Sequence, residues 1–241
     1  MNQNEPSRRT FFRAGCCGAL GLAASVSLLP AHAADAKKST LTPAQALDRL
    51  KKGNADFLAD KPPVNTLRDS DRRMEIARGQ APFVVLVGCS DSRVSPEVLF
   101  GTGLGEMFIV RNAGNTVDTV AHGSIQYGVQ VLGAPLILVL GHERCGAVEA
   151  AVSVVEKNTL YPGSIGQMIE PIIPAVLKAK GSGSLKGDEL VEAAVRENVR
   201  RTVERLRTSE PAFLEPIRTG KLKVVGARYD LDSGQIDFFM E

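Results

Sequence analysis

The sequence predicts an α/β fold built on a mostly parallel central β-sheet flanked by helices, and three observations lead there. Short, continuously apolar runs recur at Phe83-Val84-Val85-Leu86-Val87, Met107-Phe108-Ile109-Val110 and Leu136-Ile137-Leu138-Val139-Leu140. A run without polar alternation belongs to a strand buried on both faces. Stretches of helical character separate and follow these runs, and strands alternating with helices imply a parallel sheet covered on both sides. Finally, 241 residues with 44% hydrophobic and 23% charged side chains are enough for a full core. No internal repeat and no boundary to a second folded domain is visible.

Taken in order, residues 1–33 read as an address rather than as fold. Ser7-Arg8-Arg9-Thr10-Phe11-Phe12-Arg13 has the pattern of a twin-arginine export signal. An uncharged, small and apolar stretch follows from Ala14 to Ala31, and Ala31-His32-Ala33 has the small-x-small form of a cleavage site. The expected product is an exported, periplasmic or secreted protein that contacts a membrane only through this signal. Residues 34–241 are then one domain. After a polar linker, Thr42-Pro43-Ala44-Gln45 predicts a helix start, with Thr as N-cap, Pro at the first position and Gln closing a capping box. This helix is expected to run to about residue 60. Pro62-Pro63 begins a loop, and residues 68–77 suit a second short helix. Between the second and third strands, residues 119–132 read as helix ended by Gly133; residues 146–157, 165–179 and 189–208 read as further helices. Residues 222–229 and 236–240, joined through Asp232-Ser233-Gly234, read as a hairpin.

Composition narrows the function. Lys and Arg total 29 against 27 Asp and Glu, a net charge of +2, so there is no electrostatic case for nucleic acid. Removing Arg8, Arg9, Arg13 and Glu5 with the signal leaves equal numbers of each sign. The same cleavage removes Cys16, Cys17 and His32, leaving Cys89, Cys145, His122 and His142 as the soft or nitrogen donors. Gly101-Thr102-Gly103-Leu104-Gly105 fails as a dinucleotide loop, because Glu106 stands where Gly is needed and a strand follows.

Two stretches lie just past the C-terminal ends of buried strands: Cys89-Ser90-Asp91-Ser92-Arg93 and His142-Glu143-Arg144-Cys145-Gly146. In open parallel sheets, ligands bind beyond those ends. If the two strands are neighbours, Cys89, His142 and Cys145 converge as a ligand set suited to zinc, with a fourth position left over. Cys145 would open a helix, whose N-terminus favours a thiolate. A Cys89–Cys145 disulfide and a pair of inert buried thiols are the alternatives. Asp91 and Arg93 form a charged pair beside the presumed ligand. His122 is either a proton shuttle or an ordinary helix-surface histidine.

These residues resemble the two zinc motifs of the β-class carbonic anhydrases. The resemblance extends through Gly79-Gln80-Ala81-Pro82, Arg111-Asn112-Ala113-Gly114-Asn115 and Gly123-Ser124-Ile125-Gln126-Tyr127, covering roughly Thr42 to the C-terminus. It implies the corresponding fold with an N-terminal helical arm. It implies one zinc per chain on Cys89, His142 and Cys145, and reversible hydration of carbon dioxide to bicarbonate and a proton by zinc-activated hydroxide. Asp91 and Arg93 would be the catalytic dyad, with Asp91 a fourth zinc ligand in a closed state. Gln80, Phe108, Ala113, Tyr127 and Gly146 would line the substrate site, Gln80 reaching a neighbouring subunit's pocket. A homodimer or homotetramer is implied as well. The same chemistry could serve carbonyl sulfide or carbon disulfide, and a non-catalytic bicarbonate-binding protein is the rival from another class; retention of Asp91 and Arg93 speaks against the latter.

Overall fold

The computed structural model describes residues 38–61, 69–208 and 210–241. The export signal read at residues 1–33 and the loop begun by Pro62-Pro63 lie outside them. Among the described residues, no helix is long and apolar enough to cross a membrane.

The three apolar runs are strands β1 (Val84–Gly88), β2 (Met107–Arg111) and β3 (Leu136–His142). With β4 (Lys223–Tyr229) and β5 (Ile236–Met240) they form one sheet in the order β2-β1-β3-β4-β5. All pairings are parallel except the β4–β5 hairpin. β1 and β3 are buried along their whole lengths, as uninterrupted apolar runs require. β2 is only half-buried, because it is an edge strand.

The side-chain alternation of the strands divides the core. On one face Leu86, Leu138 and Leu140 pack with Ala46, Leu47 and Leu50 of helix α1 (Pro43–Leu58). The N-terminal helix thus buries its apolar stripe on its own chain's sheet. Its start is the predicted capping box: Gln45 N–H donates to Thr42 Oγ1 at 3.3 Å, and Thr42 N–H to Gln45 Oε1 at 2.9 Å. On the other face Val85, Val87, Ile137 and Val139 pack with Ile125 of α4 (Thr119–Gln130) and with Val199 and Val203 of α8 (Gly187–Thr208). Helix α4 is capped by Asp118, which accepts from Ala121 N–H at 2.7 Å, and the chain turns away at Gly133, whose φ is +73°.

Two more helices lie in this first half: α2 (Ser70–Ile76), within the expected span, and α3 (Pro96–Leu99), a single turn that the sequence reading missed. The helix expected over residues 165–179 is broken. Helix α6 (Gly163–Ile169) passes through a 3₁₀ turn, Glu170–Ile172, into α7 (Ile173–Gly181). Pro171 and Pro174 cause the break, since neither has an N–H to continue the helical ladder. Helix α5 (Gly146–Lys157) precedes this pair and packs with it and α8 in a third apolar cluster that includes Cys89 and Cys145. Helix α9 (Pro211–Arg218) was also unforeseen, although Pro211 at its first position and Glu210 accepting from Ala212 N–H mark its start.

Candidate metal centre

β1 and β3 are hydrogen-bonded neighbours, with Gly88 level with Leu140. Cys89 leaves the end of β1 and His142 ends β3, so two residues far apart in sequence emerge side by side. Cys145 is the N-cap of α5. Between His142 and Cys145 the backbone reverses through Arg144, whose φ of 47° is left-handed.

Cys89, His142 and Cys145 each offer one ligand atom, all within 4.8 Å of one another, and all three residues are buried. The two sulfurs are 4.0 Å apart and both cysteines are free, so the disulfide alternative is not what the structure contains. Tetrahedral zinc with Zn–S bonds of ~2.3 Å separates two sulfurs by about 3.8 Å. The donor set therefore fits zinc. His142 adds to the fit. Its Nδ1 lies 2.8 Å from the Glu143 carbonyl, which can only accept, so the proton belongs on Nδ1. That leaves Nε2, which is buried and has no hydrogen-bond partner. A bound metal would satisfy this atom.

The two thiols differ in acidity. Cys89 is pulled down, first by its hydrogen bond with Cys145 and then by the backbone N–H groups of Gly114 and Asp91. Cys145 is pushed up, first by the Cys89 sulfur beside it and then by burial. The helix N–H groups of Ala147 and Val148 do favour the Cys145 thiolate, as the sequence reading expected, but they are outweighed. One proton leaves this pair easily and the second is resisted by the first charge; a divalent cation removes that resistance.

Asp91 and Arg93 meet beside the ligands. Arg93 donates from its backbone N–H (2.9 Å) and Nε (3.0 Å) to Asp91 Oδ1, and from Nη2 to Oδ2 (2.7 Å). These bonds, the side-chain ones first, hold the Asp91 carboxyl well below the usual carboxylate range. Asp91 Oδ2 is 3.8 Å from His142 Nε2, at the border of the metal position. Two further residues support the site and were not singled out for it. Arg111, at the end of β2, donates to the carbonyls of Cys89 (2.7 Å) and Asp91 (2.6 Å). Gly114 donates its N–H to Cys89 Sγ at 3.2 Å, and its carbonyl accepts from the buried Asn198 at 2.9 Å. Both lie in the Arg111–Asn115 motif, but only the folded chain shows what they touch.

The remaining sequence-predicted residues are more dispersed. Phe108 on β2 and Tyr127 on α4 meet with ring centroids 6.1 Å apart, Tyr127 being exposed. Ala113 opens the 3₁₀ turn that carries Gly114, and Gly146 is the exposed first residue of α5. Gln80 is exposed in the segment leading into β1. His122 has a structural setting: its Nε2 is 3.2 Å from Glu210, the N-cap of α9, and its ring meets Phe213 edge-on.

Comparison with known proteins bears directly on this geometry. A profile of the family described as carbonic anhydrase matches residues 84–236. Carbonic anhydrase 2 of Mycobacterium tuberculosis is 42% identical over 193 residues, covering 80% of this chain and 91% of the relative. A carbonic anhydrase of Mycolicibacterium smegmatis is 38% identical over 195 residues, covering 81% and 92%. Among solved structures, a Coccomyxa β-carbonic anhydrase in complex with acetazolamide aligns with a TM-score of 0.64 at 30% identity, covering 72% of this chain and 78% of that one. One of two tetrameric β-carbonic anhydrases of Sordaria macrospora aligns with a TM-score of 0.63 at 27% identity, covering 69% and 84%.

Proposed function

This chain belongs to the carbonic anhydrase family, in its β class, and from that premise we propose how its residues divide the work of hydrating carbon dioxide. The protein is a zinc enzyme that interconverts carbon dioxide with bicarbonate and a proton. Cys89, His142 and Cys145 would hold one zinc per chain. When bound, zinc supplies the Lewis acidity that makes water a nucleophile near neutral pH.

Asp91 stays ionised because Arg93 grips both of its oxygens, so it can accept a hydrogen bond from the attacking water and orient it. The same grip keeps the carboxylate from turning inward to occupy the fourth ligand position, the closed arrangement. Phe108, Ala113, Tyr127 and Gly146 line the approach for an apolar gas, and Gln80 serves the pocket of a neighbouring subunit. Association of chains as a homodimer or homotetramer is supported by the half-buried edge strand β2 and the exposed Val120 and Tyr127 on the adjoining helix α4. The Sordaria relative is tetrameric. Residues 1–33 act as a twin-arginine signal that delivers residues 34–241, as one catalytic domain, to the periplasm or medium; replacing Arg8 and Arg9 with Lys retains the precursor in the cytoplasm.

The observation that carries this reading is the convergence of three buried ligand atoms beside an Arg-held carboxylate. Stopped-flow hydration with zinc content measured in parallel tests it. Asp91→Asn keeps its zinc and loses most of its turnover, since an amide cannot replace the carboxylate as acceptor. Wild-type rates in Asp91→Asn would remove Asp91 from the mechanism.

A further inference from the structure

We propose that the β4–β5 turn, residues 230–235, positions the Asp91–Arg93 pair, acting through Asp232 and the main-chain carbonyl of Arg144. The inference rests on the reading above that Arg93 holds Asp91 for catalysis.

Both side chains of the two-residue strap between His142 and Cys145 reach this turn, and Arg144 Nη1 also donates to Glu143 Oε1 at 3.3 Å. The Arg144 guanidinium donates to both oxygens of Asp232, at 2.9 and 2.6 Å. The Glu143 carboxylate accepts from Leu231 N–H at 3.1 Å, and Glu143 N–H donates to the Tyr229 carbonyl at 2.9 Å. The turn is itself fixed. Asp230 Oδ1 accepts from the N–H groups of Asp232 (3.2 Å) and Ser233 (2.8 Å) and from the Ser233 hydroxyl (2.8 Å), and Asp230 Oδ2 accepts from Arg228 at 2.6 Å. Buried Asn54 of α1 clamps its far side, donating to the Gly234 carbonyl and accepting from Ile236 N–H, each at 3.0 Å.

What this anchoring secures is a backbone direction. Arg144 has a φ of 47°, a region that residues with side chains rarely adopt, and in that conformation its carbonyl faces Arg93 Nη2 at 3.3 Å. The same Nη2 donates to Asp91 Oδ2 at 2.7 Å. A guanidinium nitrogen with two hydrogens serves both acceptors at once. Asp232 is therefore a positioning residue: it fixes Arg144, whose carbonyl fixes the rotation of the Arg93 fork on Asp91. The Arg144–Asp232 pair is exposed, at 47% and 73%, so its loss should cost little stability.

The test uses the zinc-loaded full-length protein and measures zinc per chain, melting temperature, kcat and KM for carbon dioxide. It also follows hydrogen exchange of the Arg93 Nε–H by NMR, its signal assigned by its disappearance in Arg93→Lys. Asp232→Asn is expected to keep its zinc and melting temperature, to lose roughly tenfold in kcat with KM unchanged, and to speed exchange at Arg93 Nε–H. Asp232→Glu restores most of the rate. Arg144→Ala gives the same loss as Asp232→Asn, and the double variant loses no more than either alone. Wild-type kcat and exchange in Asp232→Asn, or additive losses in the double variant, overturn the inference. Arg93→Lys separates the two levels. If it retains wild-type kcat, the reading of the dyad itself has failed; if it is impaired while Asp232→Asn is not, only the role of the turn has failed.

Discussion

The two strand ends that meet at the metal centre are built in opposite ways. The β1 end is local: Cys89, Asp91 and Arg93 lie within five residues, and Arg93 closes on Asp91 through its own backbone N–H as well as its side chain. The β3 end is held from a distance. His142 and Cys145 flank a strap whose side chains reach residues 231 and 232, each 88 positions along the chain. A charged pair two residues apart can form with little help from the rest of the fold, whereas a left-handed Arg144 needs outside partners to persist. The pairing of Asp91 with Arg93 is local to the β1 end, whereas the span between two ligands, and the carbonyl that Arg93 also meets, are held by a tertiary contact.

The broadest way to break this contrast is to remove ligands from each end. Cys89→Ser on one side and His142→Ala or Cys145→Ser on the other should each reduce zinc affinity by at least the roughly 100-fold that loss of an outer partner can cost. Metal analysis of the purified variants checks this. Stoichiometric zinc in Cys89→Ser, with loss in the other two, would mean that the β3 end suffices alone.

A subtler change tests the support of the β1 end. At Gly114, φ is +66°, and an added Cβ would come within 2.6 Å of Ile172 Cδ1 and 3.1 Å of Ala147 Cβ. Gly114→Ala should cost about 1–3 kcal/mol through strain and overpacking. It should also weaken zinc about tenfold by shifting the N–H that Gly114 gives to Cys89 Sγ. Calorimetry with a chelator competition measures both; unchanged zinc affinity would show that the Cys89 sulfur needs no such donor.

The smallest effect is at acid pH and concerns the anchor of the β3 end. Asp230 is held below the usual carboxylate range, first by the Ser233 N–H and then by Arg228 and the Ser233 hydroxyl. A carboxyl lowered in the folded state stabilises above its unfolded value and loses that contribution as pH falls through the folded one, here below about pH 4. Asp230→Asn should therefore flatten the acid limb of a plot of melting temperature against pH, with only a few degrees lost at neutrality. An acid limb identical to wild type would show that Asp230 does not anchor the turn.

The contrast also explains what could be read in advance. The cluster of Cys89, His142 and Cys145 and the Asp91–Arg93 pair were legible because each motif is short and follows a recognisable apolar strand. The β-sheet and its hairpin were legible from the same runs. Pro171 and Pro174 are visible in the sequence too, and their missing donors divide the helix expected over residues 165–179. The helix end that favours a Cys145 thiolate was legible because it is local, while the Cys89 sulfur that opposes it arrives only through folding. Arg111, Gly114 and Asp232 could not be assigned tasks from sequence, since each acts on a residue supplied by another element.

The strand order has a kinetic side. Because β1 pairs in parallel with β3, the chain must first travel through β2 and α4, and Cys89 and Cys145 are 56 residues apart. Closing a parallel crossover is the slow, non-local part of folding such a sheet. Until it closes, the three donors do not exist as a site, so zinc has little to hold in the unfolded chain. Its stabilisation should then fall on the unfolding limb: chelation speeds unfolding and leaves the refolding rate nearly unchanged. Stopped-flow unfolding and refolding, each with zinc and with chelator, would show it, and a refolding rate that rises with zinc would place metal capture before sheet closure instead.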